Sequence, residues 1–102
     1  MDKRVELKIK RMTPNQARAI RAIVSFHTSM GSVVSGATIS RTSGLTGNAL
    51  GGTVSALERS GTIQPFGREG RMLNWELTDP DLIQAKKDNS KELLELIDKI
   101  AK

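Results

Sequence analysis

Residues 35–60, SGATISRTSGLTGNALGGTVSALERS, constrain the fold more than any other stretch of this chain, because they read as two short helices joined by a tight turn. Ser35 is placed to cap a first helix from Gly36 to about Ser43, its hydroxyl accepting from an otherwise unpaired amide. Gly44 follows the last helical residue, where a left-handed conformation closes the helix and glycine adopts it without strain. Leu45 is the one apolar residue of the turn, and Thr46 stands where it would cap the second helix. There, Leu50, Val54 and Leu57 recur at i, i+4 and i+7 and form a buried face. At 100° per residue the opposite face carries Asn48, Gly52, Ser55 and Arg59, with Gly51 and Ala56 beside it. That face is small and polar, with a single positive charge, as expected of a surface offered to a partner.

The next residues sharpen the expectation. Residues 62–66 (TIQPF) and 72–77 (MLNWEL) read as two short strands, joined through Gly67-Arg68-Glu69-Gly70-Arg71 as a hairpin. Leu73, Trp75 and Leu77 alternate with Met72, Asn74 and Glu76, so one face is core and Trp75 is its anchor. Pro65 places the first strand at an edge. Upstream, Thr13-Pro14-Asn15-Gln16 has the form of a helix start, with Thr as cap, Pro in the first turn and Gln three residues after the cap. Ala17, Ile20, Ile23, Val24 and Phe26 then make an apolar face, leaving Arg18 and Arg21 outside as solvated charges. The pattern ends before Gly31, and Val33-Val34 suit a short strand pairing with the hairpin.

Helix, turn, helix and then a hairpin with arginines at its tip resembles the winged helix-turn-helix domain of transcription regulators, over roughly residues 13–78. The fold class this implies is α+β, mainly helical: a three-helix core with a two- to three-stranded wing hairpin, followed by a C-terminal helix. In that family the second helix of the motif enters the major groove and the wing touches phosphate or the minor groove. Carried over by position, Thr46, Asn48, Ser55 and Arg59 would face bases or backbone, and Arg68 and Arg71 would sit on the wing. The motif helix holds Gly47, Gly51 and Gly52 and few long polar side chains, so backbone contacts should outweigh base contacts. A glycine in a helix interior costs about 0.5–1 kcal/mol relative to alanine. Gly51, beside the buried face, would let another helix pack closely. Gly52 lies nearly opposite Leu50, which leaves close approach to a phosphate or groove wall as its expected role.

Both flanks add to this. Residues 1–12, MDKRVELKIKRM, alternate Val5, Leu7 and Ile9 with charged neighbours, the period of a strand. Lys3, Arg4, Lys8, Lys10 and Arg11 make it the most basic segment. It fits a basic arm lying along DNA through Lys8, Lys10 and Arg11, and equally an edge strand whose lysines discourage aggregation. At the other end, Asp79-Pro80-Asp81 opens a helical region over residues 79–102, with a break near Asp88-Asn89-Ser90, where Asn89 and Glu92 have capping-box spacing. Leu93, Leu94, Leu96, Ile97 and Ile100 form a stripe too wide for a free helix in water. It must fold back on the first helix or meet its twin in another subunit, and a homodimer is the expectation, since dimers suit palindromic DNA sites.

Charge and composition narrow the function classes. At 102 residues the chain has room for one modest core. The net charge is +5 and the pI near 10.0. Residues 1–75 hold eleven Lys/Arg against four Asp/Glu, +7, while residues 76–102 hold five against seven, −2. A positive body suits a polyanion, because phosphate contacts supply most non-specific affinity. The absence of cysteine excludes disulfides and thiolate metal sites. His27, the only histidine, lacks the neighbours a general base or metal ligand needs. No convergent nucleophile, base and stabiliser appear, and Gly47 to Gly52 is not followed by the Lys and Ser/Thr of a phosphate-cradling loop. No enzyme activity and no cofactor are therefore expected. No apolar run reaches the ~20 residues of a membrane helix. The reading is a duplex-DNA-binding regulator or DNA-organising protein, acting as a dimer in the cytoplasm, on the nucleoid if prokaryotic. Its alternative is a winged helix used as a protein-interaction module in a larger assembly.

Overall fold

The computed structural model describes residues 2–26, 33–69 and 72–101. Among them the chain forms five helices and one three-stranded sheet: α1 (Lys3–Lys10), α2 (Pro14–Ser25), β1 (Val33–Ser35), α3 (Gly36–Ser43), α4 (Gly47–Arg59), β2 (Ile63–Glu69), β3 (Met72–Leu77) and α5 (Pro80–Ala101). The sheet is antiparallel with order β1-β3-β2. The architecture is α+β and mainly helical, as expected. His27, Gly31, Gly70 and Arg71 lie outside the described residues.

Helix α2 is the centre. Its start is the full capping box: the Thr13 hydroxyl accepts from the Gln16 backbone amide at 3.1 Å, and the Gln16 side-chain oxygen Oε1 accepts from the Thr13 backbone amide at 3.0 Å. Ala17, Ala19, Ile20, Ala22, Ile23 and Val24 are all buried, packing on α3, α4 and α5. Each large aliphatic side chain buried in this way contributes about 1.5–3 kcal/mol. Phe26 does not join this face: the helix has ended, and the ring is 46% exposed.

The sheet closes one end of the core. Val34 of β1 pairs opposite Trp75 of β3, and both are buried. Edge strand β2 reaches Glu69, further than its sequence suggests, because an extra residue between Pro65 and Arg68 forms a bulge that lets pairing resume at Arg68 opposite Leu73. Pro65 sits on this edge strand, where its missing N–H is tolerated.

The N-terminal segment is neither strand nor arm. It is helix α1, capped by Asp2, whose carboxylate accepts from the Arg4 amide at 2.7 Å. Val5 and Ile9 are buried, whereas Leu7 is 52% exposed. Residues 5 and 9 share a face in a helix as well as in a strand, so Leu7 decides the matter. The partner is α5, whose Leu82 and Ala85 are buried.

Helix α5 is two helices joined at Asn89, which has φ −158° and ψ 72°. Its side-chain oxygen accepts from the Glu92 backbone amide at 3.3 Å, and its side-chain Nδ2 donates to the Glu92 carboxylate at 2.7 Å. The kink lets one segment serve two surfaces, Leu82 and Ala85 before it and Leu93 and Ile97 after it. Leu93 and Ile97 are completely buried within the chain, with Leu94, Leu96 and Ile100 partly buried against the same core. The centre of the stripe expected to meet a second subunit, Leu93 and Ile97, is thus buried internally, largely against α2.

Candidate nucleic-acid interface

The turn between α3 and α4 is fixed by hydroxyls. Ser35 caps α3, accepting from the Thr38 amide at 3.1 Å. Gly44 closes it at φ +77°, and its amide donates to the Ser40 carbonyl at 2.9 Å. Ser40 Oγ then donates to the Leu45 carbonyl at 2.8 Å, Ser43 Oγ donates to the Ile39 carbonyl, and Ser43 Oγ accepts from the Leu45 amide at 3.1 Å. Leu45 is buried beneath. The roles of Ser40 and Ser43 were not apparent from the sequence; a Ser cluster around a helix-closing glycine is the available signal.

Helix α4 leaves this turn with its polar face open. Asn48, Gly51, Gly52, Ser55, Glu58 and Arg59 are all exposed, while Thr53, Val54 and Leu57 are buried. Leu50, expected to be buried, is only partly buried. Thr46 occupies the cap position but makes no capping hydrogen bond with its side chain. A methyl placed at Gly51 or Gly52 would meet nothing within 4 Å. Close helix packing therefore does not explain Gly51, which stands in open space like Gly52. Beside Gly52, Thr53 and Ala56 runs a groove of about 420 Å³ whose other wall is the start of α2, Thr13 to Gln16.

The cations divide into tied and untied groups. Lys8, expected on a DNA-contacting arm, is turned inward: Nζ donates to both Asp79 oxygens at 2.9 and 2.8 Å and to Asp81 at 2.8 Å. These hydrogen bonds hold its pKa above the usual lysine value and hold that of Asp81 below the usual carboxylate value. Asp79 also caps α5, accepting from the Asp81 and Leu82 amides at 2.9 and 3.3 Å. Arg18 and Arg21 are not free in solvent. Arg18 donates to the Ala101 carbonyl at 2.8 Å and to Asn15 at 3.1 Å, and Arg21 pairs with Asp98. Lys10, Arg11, Arg41, Arg59 and Arg68 are exposed. Arg11 lines a cleft with Gln16, Leu57 and Ser60, which brings the end of α1 beside the end of α4. Arg68 follows the bulge on β2, near Phe66, which is 53% exposed. Arg41, on the last turn of α3, belongs with the untied cations and was missed in the sequence.

Among the described residues no group of three or more His, Asp or Glu is placed to hold a metal ion, and no helix is long and apolar enough to cross a membrane. Comparison with family models, curated proteins and solved structures gives no match. The functional reading therefore rests on geometry and charge.

Proposed function

We propose that the chain binds double-stranded DNA as a winged helix, with α4 in the major groove and the β2–β3 hairpin on the flanking backbone. The observation that carries this reading is the open face of α4: no described element covers Asn48, Gly52, Ser55 or Arg59. The element order from α2 to β3, with β1 paired to β3, is compatible with such a fold. Backbone contacts carry the affinity, through Arg59, Arg68, Lys10 and Arg11, joined by Arg71, which lies outside the described residues. Asn48, Ser55 and Thr46 are the short polar groups at the groove. Gly52 lets the helix backbone approach closely. This suits a small regulator with few base contacts, or a DNA-organising protein of the cytoplasm or nucleoid. The proposal needs no dimer, since the centre of the stripe that suggested one, Leu93 and Ile97, is buried inside the chain.

The test is binding to random duplex across a salt series, in which log K falls linearly with log salt with a slope of roughly −0.9 per phosphate neutralised. A second reading, a protein-interaction module, draws on exposed Glu58 and on Arg59 being the only basic side chain of α4. It predicts a partner bound through α4 with little salt dependence and no affinity for duplex.

A further inference from the structure

We infer that α4 consists of two units that open separately: a fixed half from Thr53 to Arg59, and an N-terminal half, Gly47–Gly52, that unfolds and refolds locally on the intact body. Three independent observations converge on this division.

Burial is one-sided along the helix. The buried residues Thr53, Val54 and Leu57 all belong to the second half. In the first half Gly47, Asn48, Ala49, Gly51 and Gly52 are exposed, and half-buried Leu50 is the single tie to the core. Segments with few buried apolar contacts are those that open without global unfolding.

The start of α4 also lacks what every other helix start possesses. Asp2, Thr13, Ser35 and Asp79 each accept a hydrogen bond from a first-turn amide of α1, α2, α3 and α5. Thr46 makes none, although threonine is a competent capping residue, and the first backbone bond, from the Leu50 amide to the Thr46 carbonyl, is long at 3.3 Å. The weakness is thus local to α4 and not a habit of the chain.

The glycine pair acts in the same direction. Each interior glycine shifts the local helix–coil equilibrium about two- to fivefold toward coil relative to alanine. Neither compensates by close packing, because the space around both is open. A partner that grips this face binds only the closed form, so its apparent affinity is reduced by the closed fraction. The inference concerns the free protein and stands or falls independently of whether that partner is DNA.

Native-state hydrogen exchange on the full chain tests it. The amides of Leu50 to Thr53 bond back into the first half, and those of Leu57 to Arg59 into the second. The first set should be at least about tenfold less protected and insensitive to low denaturant, as local opening requires. Gly51→Ala/Gly52→Ala should slow the first set by about 5- to 30-fold relative to the second. Equal protection with the same denaturant slope for both sets would overturn the inference, as would an effect of the double variant spread evenly over the helix.

Discussion

At the scale of single residues, the glycines of the helix-turn-helix stretch divide by backbone conformation. Gly44 and Gly47 have φ of +77° and +55°, where an L side chain is strained by roughly 1–2 kcal/mol. Gly51 and Gly52 are ordinary helical residues in open space. Gly44→Ala should therefore lower the urea midpoint, whereas Gly51→Ala should raise stability by about 0.5–1 kcal/mol. Gly52→Leu separates fold from function: it should fold as well as the parent, yet weaken duplex binding at least tenfold, about 1.4 kcal/mol, by holding the helix off the groove. Lys8 is a residue whose role was hidden in the sequence, because its partners lie 71 and 73 positions away. Its raised pKa means that its contribution is complete below the ordinary lysine value of 10.5 and is lost as pH rises through the higher folded value. Asp81, with its pKa lowered, contributes above the ordinary carboxylate value of 3.8 and loses that contribution as pH falls through the folded value. Attachment of α1 should thus be strongest between those limits, which a pH series of thermal unfolding on wild type and Lys8→Ala will show. Lys8 is partly exposed, so the variant should cost no more than about 1 kcal/mol at neutral pH.

At the scale of elements, local punctuation was legible and distant partnership was not. The Thr13–Gln16 capping box, the Ser35 cap, the Gly44 closure and the Asn89–Glu92 break all lie within a few residues of the structure they set, and each appears as its spacing implies. The first segment misled because Val5 and Ile9 satisfy both periods, and only the face that α5 offers selects the helix. The variants separating the two are direct. Ile9→Ala should cost about 2–5 kcal/mol as a cavity in the core. Leu7→Ala, on the exposed side, should stay within about 0.5 kcal/mol. The α5 stripe is ambiguous in the same way, since a wide apolar face does not say whose core it enters. Leu93→Ala and Ile97→Ala should each lower stability by about 2–5 kcal/mol, with a loss independent of protein concentration in denaturation followed over a hundredfold dilution. A concentration-dependent midpoint would restore the subunit interface.

At the scale of the whole molecule, the basic sum of the sequence is not the charge on offer. Lys8, Arg18 and Arg21 serve internal attachments, joining α1 and α2 to α5. Among the described residues, that leaves Lys10, Arg11, Arg41, Arg59 and Arg68 as exposed cations of the basic body apart from Lys3 and Arg4 at the very start. The interface proposed above therefore sets Lys8 aside, takes in Arg41 and keeps α4 at its centre. The most direct measurement is duplex affinity across a salt series for wild type, Arg59→Ala, Arg68→Ala and Lys8→Ala. The account predicts binding at low salt with a steep linear salt dependence, a slope shallower by about 1 for each of the two arginine variants, and an unaltered slope for Lys8→Ala. Absence of binding at low salt, or a Lys8→Ala slope as shallow as those of the arginine variants, would contradict it.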